Sequence, residues 1–578
     1  MKIVERRFLR GPNIHWAAPC MVSVLDLEGH RPVGIADLLG GATLLQSLLQ
    51  PPGPGAIAPA LVDAAEAARL VARLLSAVQA RAGQPMTFCE VLACAPAPAP
   101  ARYRVVCSYQ HEAVAAAALV LAVDILTALF QRLQPADLEA RIGVLRAVAD
   151  GQASHRADAA PQRTARAAAI PVVAITGTNG KTTTTQLIAH VLRASGLHTG
   201  MTTTQGIYIG GECVQKGDCS GYWSARRVLD DASVQAAALE TARGGILKRG
   251  LAFDQCDVGV VLNVSSDHLG LDGVETLHDL AHVKGLVARH ARDAAVLNAD
   301  DAWCVAMRET LAPGCAAVFF ALDAANPVLR AHLQAGGAGA WLADDGWLTW
   351  GCAGNPADGV NVVNAVKVVS AAALPFTCQG HARYNTANAL AALAALCCMG
   401  HATEAIAQAM TRFVSDAKSN PLRGNQFEVD GVRLIVDYAH NAVACRALCE
   451  MARSLAGVGA RLLGVVTSPG DRRAQDLYET GRVCGHGFDE LVVYEHDPRG
   501  RSAGATSREI LRGARSAAAA KPLHAEPCIR HALARGLAAA REGDVLVFTC
   551  AGNFDDLVEG VRLRSPAAAQ RIAHALAA

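Results

Sequence analysis

Apolar and polar positions follow different patterns in successive parts of the chain. Over residues 1–135 short alternating runs and helical periods follow one another, which is typical of an α+β domain. Residues 136–170 have no apolar period long enough for a strand and end in small, polar residues, so we place a linker there. The strands predicted in the first domain are Lys2–Phe8, Met21–Leu25, Met86–Leu92 and Tyr103–Ser108, with helices at about 61–81 and 111–133.

From Pro171 the pattern becomes that of a sheet buried on both faces. The apolar run Val172–Thr176 leads into a glycine-containing loop and then into a helix with one apolar face. Two more apolar runs follow, Val234–Leu239 and Val258–Leu262, with helices between them. This order predicts a doubly wound parallel sheet, and we assign residues 171–418 to a central α/β domain.

Residues 419–578 repeat the alternation of strands and helices on a smaller scale. The pattern predicts a C-terminal, Rossmann-like α/β domain. Its predicted strands are Val432–Val436, Leu462–Val466, Leu491–Tyr494 and Val545–Phe548.

Charge and composition narrow the possible partners. The 578 residues include 53 Lys and Arg against 52 Asp and Glu, so no excess of positive charge favours nucleic acid or an acidic membrane surface. The opening MKIVERRFLR is charged and lacks the apolar stretch of a signal peptide. We therefore expect a cytoplasmic protein with neither nucleic acid nor membrane as partner.

The loop after the first central strand carries the chemistry. It reads AITGTNGKTTTT, with only two residues between Gly177 and Gly180, where the commonest phosphate-binding loop has four before its Gly-Lys pair. Backbone N–H groups from Thr178 to Thr182 could face phosphate oxygens at the positive end of the following helix. Lys181 would then bridge the outer phosphates, and the Thr182 hydroxyl would bind magnesium.

Polar residues follow two other predicted strands of the same sheet. Glu240 ends one apolar run, and Asn263, Asp267 and His268 follow another. Open α/β sheets bind ligands at the carboxyl ends of their strands, so these side chains are expected in one crevice. A carboxylate, an imidazole and a threonine hydroxyl beside phosphates suit magnesium, which predicts a metal site formed by Thr182, Glu240 and His268.

These motifs resemble those of the Mur ligase superfamily, which includes the folylpolyglutamate synthetases. The resemblance rests on TGTNGKTTT, the strand-end glutamate, NVSSDHL, HARYNTANALAA (381–392) and DYAHN (437–441), and it spans about 171–578. Within the superfamily the chain is most similar to the cyanophycin synthetases, through TTTQGIYIGG (202–211), ETARGGIL (240–247), PGDRR (469–473) and EHDPRGR (495–501). MKIVERRFLRGPN resembles the N-terminal domain of the same family.

The resemblance implies an ATP- and Mg²⁺-dependent amide ligase that activates a carboxylate as an acyl phosphate and couples it to an amino acid. Arginine onto aspartate side chains is the expected pair, and a homo-oligomer is expected. The implied catalytic residues are Lys181, His268, Lys284 and Arg243. The implied nucleotide-binding residues are Thr178, Asn179, Gly180, Lys181, Thr182, Thr183, Asn385, Asn388, Arg423, Asp437 and His440.

Simpler alternatives exist for the role of Lys284 and for a further role that Glu495 and Asp497 could have. Lys284 matches a lysine that carbon dioxide carbamylates in Mur ligases, and an unmodified surface lysine is its alternative. Glu495 and Asp497 could receive a guanidinium, and paired surface acids are the alternative for them.

The chain departs from the cyanophycin synthetases in one large feature. Those enzymes carry an ATP-grasp domain between the N-terminal and Mur-like parts, and a short linker stands here instead. The acceptor would therefore come from a separate ATP-grasp synthetase. Two other hypotheses stay open. The protein could be an accessory ATP-binding subunit of a full-length synthetase. It could also be a ligase for another carboxylated peptide, a hypothesis that Trp223 keeps open.

Overall fold

The computed structural model describes residues 2–15, 19–27, 33–34, 61–62, 64–84, 86–94, 102–110, 112–129, 142, 144–145, 170–353, 363–518, 520–549 and 553–577. These residues group into two compact units. One consists of Met1–Ala169 with Gly221–Arg226 and Gly244–Asp254, and the other contains the remaining residues. The linker predicted at 136–170 lies almost entirely outside the described residues. No helix in the described part of the chain is long and apolar enough to cross a membrane.

The first unit contains a four-stranded antiparallel sheet in the order β1-β2-β6-β5 and a two-stranded ladder of β3 and β4. Two helices pack on the sheet, and their apolar faces join Met21, Leu25 and Val105 in one core. The elements are β1 (Lys2–Leu9), β2 (Cys20–Asp26), β3 (Val33–Gly34), β4 (Leu61–Val62), α1 (Ala64–Arg81), β5 (Cys89–Ala93), β6 (Arg102–Ser108) and α2 (Glu112–Leu129).

A segment distant in sequence completes this unit. The backbone N–H of Arg10 donates to the carbonyl of Arg249 at 2.8 Å, and the N–H of Leu251 donates to the carbonyl of Pro12 at 2.8 Å. A Cβ at Gly11 would collide with the Leu251 carbonyl, so this approach needs glycine. The stretch 244–254 is therefore part of the first unit, although its sequence pattern placed it in the central domain.

The second unit contains an eleven-stranded sheet in the order β10-β9-β8-β11-β7-β12-β13-β14-β15-β16-β17. Strands β8, β11, β7, β12, β13, β14 and β15 run parallel, and antiparallel strands form both edges. The strands are β7 (Val172–Thr176), β8 (Thr199–Thr203), β9 (Gly206–Ile209), β10 (Glu212–Lys216), β11 (Ala236–Glu240), β12 (Cys256–Val261), β13 (Ala291–Asn298), β14 (Ala316–Ala321), β15 (Ala338–Leu342), β16 (Trp347–Ala353) and β17 (Val363–Ser370).

Strand β7 is buried within the parallel part of this sheet. β7 lies between β11 and β12, and all five of its residues are buried, as a strand covered on both faces requires. The helices of this part are α3 (Lys181–Ala194), α6 (Leu277–Arg289), α7 (Ala302–Ala306), α8 (Pro327–Gln334), α9 (Arg383–Cys398) and α10 (Thr403–Met410). Two further helices, α4 (Tyr222–Asp230) and α5 (Arg243–Arg249), have residues 222–226 and 244–249 in the first unit and the rest in the second.

A six-stranded sheet in the order β18-β19-β23-β20-β21-β22 forms the rest of the second unit. All of its pairs are parallel except β18 with β19. The predicted boundary between 418 and 419 stays a prediction, because both sheets fall within one compact unit. The elements are β18 (Asn425–Val429), β19 (Val432–Asp437), α11 (Ala442–Leu455), β20 (Leu462–Val466), α12 (Ala474–Gly487), β21 (Glu490–Val493), α13 (Ala505–Ala517), β22 (Leu523–Ala525), α14 (Ile529–Ala539), β23 (Val545–Thr549), α15 (Phe554–Arg562) and α16 (Pro566–Ala577).

Candidate active site

The nucleotide loop joins the carboxyl end of β7 to the amino end of α3. Gly180 precedes the helix with φ +87°, in the left-handed region that favours glycine. A Cβ at this position would collide with the side-chain oxygen of Asn388 on α9. The compact loop therefore depends on glycine both for its backbone turn and for its contact with the neighbouring helix.

Asn263, directly after β12, fixes the first half of this loop. Its Oδ1 accepts hydrogen bonds from the backbone N–H groups of Thr178 at 3.1 Å and Asn179 at 2.9 Å. Its Nδ2 donates to the carbonyl of Asn179 at 3.1 Å. The sequence placed the N–H groups of 178 and 179 toward phosphate, whereas both are bonded within the protein. The first N–H groups of α3, which have no partner within the helix, are the ones left for a ligand.

Glu240 reaches the loop from the end of β11. Its Oε2 accepts hydrogen bonds from the Thr182 hydroxyl at 2.9 Å and from the backbone N–H of Thr204 at 3.1 Å. Its Oε1 is buried and has no hydrogen-bond partner among the described residues. A buried carboxylate oxygen without a partner is costly, and a cation coordinated there would remove the cost.

The electrostatics of Glu240 agree with a cation-binding role for its carboxylate. Burial raises the pKa of its carboxyl, although Lys181, Thr182, Thr204 and Arg423 all act to lower it. A carboxylate and a hydroxyl oxygen side by side suit a magnesium ion, since Mg²⁺ takes oxygen ligands. Thr182 and Glu240 therefore fit the metal site predicted for them.

Lys181 bends back over the loop that it follows. Its ammonium donates to the carbonyls of Gly177 at 3.1 Å and Thr178 at 3.0 Å. Positive charge from Lys181 also acts on Glu240. The lysine, the threonine hydroxyl and the glutamate are thus brought together at one end of the sheet, as the sequence predicted.

A second group of polar side chains surrounds Asp267 after β12. The buried Asp267 carboxylate accepts from Arg472 Nε at 2.6 Å. It also contacts His440 Nε2 at 3.3 Å and Asn441 Nδ2 at 3.4 Å. Burial alone would raise the pKa of Asp267, but His440, Arg472 and His268 together hold it well below its usual value. Three side chains from the six-stranded-sheet region therefore converge on one carboxylate of the larger sheet.

His268 belongs to this group and not to the Glu240 pair. Its backbone is left-handed, with φ +59°, and its Nε2 lies 2.9 Å from Arg472 Nη2. Burial lowers the pKa of His268 to about 4 together with the positive charges of Arg472, His440 and Arg243, while Asp267 opposes them. The predicted role of His268 as a metal ligand stays a prediction, because the nitrogen concerned contacts a guanidinium here.

Hydrogen bonds connect the two groups. Asn179 of the nucleotide loop and Asn441 exchange side-chain hydrogen bonds at 3.1 and 3.4 Å. Asn441 also contacts Asp267, and the Thr178 hydroxyl bonds the backbone of Ser265. A movement of the residues after β12 would therefore also shift the nucleotide loop.

Lys284 and Arg243 are buried close to both groups. Lys284 is only 4% exposed on α6, so the alternative of a surface lysine is wrong. Burial lowers the pKa of Lys284 well below its usual value, and nearby Lys181 adds to this. Arg243 donates to Asp272 at 3.3 Å and to the Leu271 carbonyl, and burial lowers its pKa.

The remaining predicted nucleotide residues lie on α9 and near β19. Asn388 Nδ2 donates to Asn385 Oδ1 at 3.1 Å, and Asn385 Nδ2 donates to the Phe376 carbonyl at 2.7 Å. The buried Thr183 hydroxyl accepts from Asn420 Nδ2 at 3.2 Å. The first two contacts lie within α9 and between α9 and the turn before it, and the third holds the segment before β18 against the nucleotide helix.

Asp437 ends β19, and the positive charge of Arg423, before β18, acts on its carboxyl. The Arg423 guanidinium lies 4.9 Å from the ring centroid of Tyr438. Burial raises the pKa of Asp437 despite the positive charge of Arg423. His440 Nδ1 faces the Tyr438 carbonyl at 2.8 Å.

The acids suggested for an incoming guanidinium are already engaged. Both oxygens of Glu495 accept backbone N–H groups at the start of α13, from Gly504, Thr506 and Ser507. Asp497 pairs with Arg499 at 2.8 Å. Glu495 therefore caps a helix, and Asp497 is a paired surface acid.

Sequence reasoning assigned no role to Arg472, Thr204 and Asn441, and it predicted Asn263 and Asp267 in the crevice without a specific role. Arg472 lies within the PGDRR motif, and Asn263 and Asp267 lie within NVSSDHL, so motif membership was the available signal. Thr204 and Asn441 had the same signal, in TTTQGIYIGG and DYAHN. Their contacts depend on the packing of distant segments, which spacing alone does not reveal.

Comparison with known proteins identifies the family of both parts of the second unit. A family model described as "Mur ligase middle domain" matches residues 175–396, and one described as "Mur ligase, glutamate ligase domain" matches residues 423–552. A solved structure titled "E.coli FolC in complex with DHPP and ADP" has a TM-score of 0.48 at 17% identity, covering 72% of this chain and 92% of that one.

Two curated relatives show how the likeness is distributed. Cyanophycin synthetase of Synechocystis sp. is 41% identical over 352 residues, which are 60% of this chain and 38% of that protein. UDP-N-acetylmuramoyl-L-alanyl-D-glutamate–2,6-diaminopimelate ligase of Xanthomonas campestris pv. campestris is 28% identical over 417 residues, 69% of this chain and 76% of that protein. The chain thus spans well under half the length of the cyanophycin synthetase that it matches. The two matched domain models, which together span more than half of the chain, establish that the chain belongs to the Mur ligase superfamily.

Proposed function

We propose that this protein is an ATP-dependent amide ligase that activates a carboxylate by phosphorylation and joins it to an amine. The observation that carries the proposal is the buried Oε1 of Glu240, which has no partner in the described part of the chain and lies beside the Thr182 hydroxyl, next to the nucleotide loop. Membership of the Mur ligase superfamily supports the same chemistry.

The reaction has to overcome the poor leaving group of a carboxylate. Attack of the acceptor carboxylate on the γ-phosphorus of ATP forms an acyl phosphate and releases ADP. The amine then attacks the acyl carbon and expels phosphate, which leaves an amide. Magnesium held by Thr182 and Glu240 would neutralise phosphate charge when bound.

Residues of the chain have distinct tasks in this scheme. Lys181 would leave the carbonyls of Gly177 and Thr178 to bond the transferred phosphoryl group. Asn263 keeps the loop in shape, so that the first N–H groups of α3 can bind phosphate oxygens without reorganising. Arg423 would face the phosphates from the other sheet, and Asp437 and His440 would contact the ribose and phosphates.

Lys284 and Arg243 would act on the acceptor side. Burial lowers the pKa of Lys284 and so favours its neutral amine, which is the form that reacts with carbon dioxide. Carbamylation would give it a negative charge beside Lys181. Arg243 would attract the incoming carboxylate. Asn385 and Asn388 would face the nucleotide from α9.

Arginine is our proposed amine and an aspartate side chain our proposed acceptor. Support comes from the 41% identity to a cyanophycin synthetase, whose matched portion is 38% of that protein. A separate ATP-grasp synthetase would then supply the aspartyl chain. Another carboxylated peptide as acceptor remains the alternative within the same chemistry.

The test is ADP and phosphate release by the purified protein with Mg²⁺ and ATP, using aspartyl oligomers with each amino acid in turn. We expect turnover that needs acceptor and amine together, with arginine the best amine. Lys181→Ala should abolish it, and Lys248→Ala, on the helix after Arg243, is a matched control. Absence of turnover with every pair, together with tight binding to a full-length synthetase, would favour the accessory-subunit hypothesis.

A further inference from the structure

Arg472 is the most buried cation beside the proposed transfer site. Its side chain is 4% exposed, and each of its three nitrogens has a different partner. Nε donates to Asp267 at 2.6 Å, Nη1 donates to Asp471 at 2.6 Å, and Nη2 lies 2.9 Å from His268 Nε2. Such a set of contacts holds the guanidinium in one orientation.

The loop that carries Arg472 is itself firmly anchored. Gly470 packs so closely on Pro498 that a Cβ would collide with the Pro498 carbonyl. Arg501 Nε donates to the Gly470 carbonyl at 2.8 Å, and Gly470 N–H donates to the Asp497 carbonyl at 3.0 Å. The position of Arg472 is therefore set by its own domain before any ligand binds.

The contact with His268 determines which imidazole nitrogen is free. A guanidinium can only donate hydrogen bonds, so His268 Nε2 must be the acceptor and carries no proton. The proton of the neutral ring is then on Nδ1. Neither nitrogen keeps an unused lone pair, and a lone pair is what a metal ligand must offer.

The arrangement otherwise has the spacing of a cation site. One ligand atom each from Asp267, His268 and His440 lie within 4.8 Å of one another. Arg472 bonds two of these three residues. A positive group of the protein thus already occupies the place that a second metal ion would need.

We propose that Arg472 takes the place of a second metal ion in the phosphoryl-transfer site. The inference rests on the proposed function, and it limits the enzyme to one magnesium ion, at Thr182 and Glu240. Of the five N–H groups of a guanidinium, three are used by Asp267, Asp471 and His268. Two remain to neutralise and orient oxygens of the phosphoryl group or of the acceptor carboxylate.

Counting bound Mn²⁺ by electron paramagnetic resonance, with a non-hydrolysable ATP analogue, tests this directly. We expect one tightly bound ion per wild-type chain. Arg472→Gln should free the His268 lone pair and admit a second ion, while kcat falls on the order of 100-fold. Arg482→Gln, which removes an exposed arginine paired with Glu479, is the matched control and should keep one ion.

Two ions on the wild-type chain, or one ion on Arg472→Gln, would overturn the proposal. If Arg472→Gln does not fold, because Asp267 is left buried with less compensation, the ion count on the wild-type chain still decides the proposal, since two bound ions would overturn it. A different result would contradict the proposed function. If the wild type bound no Mn²⁺ in the presence of the ATP analogue, both the proposed function and the role of Arg472 would be wrong.

Discussion

The Glu240→Gln variant distinguishes two effects of the buried Glu240 charge: it destabilises the metal-free fold, and it binds the metal ion. Glutamine keeps an oxygen that can accept from Thr182 and Thr204, but it removes the negative charge. Burial raises the pKa of Glu240, so the charged form is unfavourable in the folded, metal-free protein. We therefore expect the variant without metal to unfold at the same temperature as the wild type or higher.

The ligand-bound state should behave in the opposite way. A ligand at about 100 times its Kd stabilises the folded state by about 2.7 kcal/mol. For a domain of roughly 150–250 residues this corresponds to an upward shift of about 5–10 °C in the unfolding midpoint. Mg²⁺ and ATP should produce such a shift in the wild type and little or none in Glu240→Gln.

The pH dependence of folding stability independently tests whether the charged Glu240 carboxylate destabilises the metal-free protein. A carboxyl whose folded pKa is raised binds more protons in the folded state than in the unfolded state between the two pKa values. The metal-free wild type should therefore lose stability as pH rises from the unfolded pKa of Glu240 through its raised folded pKa. Glu240→Gln should lack this contribution.

Differential scanning fluorimetry with EDTA over a series of pH values, with Mg²⁺ alone and with Mg²⁺ and ATP measures all three effects. Glu275→Gln is a control, since that side chain is exposed on the loop before α6. An equal Mg²⁺–ATP shift in Glu240→Gln and the wild type would refute the assignment of Glu240 as a metal ligand. A large loss of stability in the metal-free variant would refute the electrostatic reasoning.

Three further changes test the loop. Lys181→Ala should lower kcat at least on the order of 100-fold while leaving the unfolding midpoint nearly unchanged, measured by phosphate release and fluorimetry. Asn263→Ala removes three hydrogen bonds that shape the loop, and should weaken ATP binding about tenfold or more by calorimetry, at about 1 kcal/mol per bond. Gly180→Ala should abolish ATP binding, because its Cβ would strike Asn388 and its φ is +87°; unchanged affinity would contradict the described turn.

Strands were predictable where their apolar runs are short and bounded by turn residues. Val172–Thr176 and Leu462–Val466 begin and end as predicted, and Val432–Val436 extends by one residue in the structure. About half of the described strands were not predicted: β3, β4, β8 to β10, β13 to β18 and β22. Thr199–Thr203 is all buried yet rich in threonine and glycine, so its sequence does not show the apolar run that signals a buried strand.

The candidate site was predictable only where residues follow strand ends. Thr182 and Glu240 meet because β7 and β11 are parallel neighbours, so their carboxyl ends lie together. The position of Arg472 could not be predicted in this way, because it depends on how one sheet region packs against the other. The same packing turned His268 toward a guanidinium.

Oxygen transfer tests the central claim of phosphoryl transfer to a carboxylate most directly. An acceptor labelled with ¹⁸O in its carboxylate is incubated with ATP, Mg²⁺ and the amine, and the released phosphate is analysed by mass spectrometry. If an acyl phosphate forms, each phosphate released with an amide carries one oxygen from the acceptor. Phosphate that takes its new oxygen only from water, or release of AMP and pyrophosphate, would contradict the proposed chemistry.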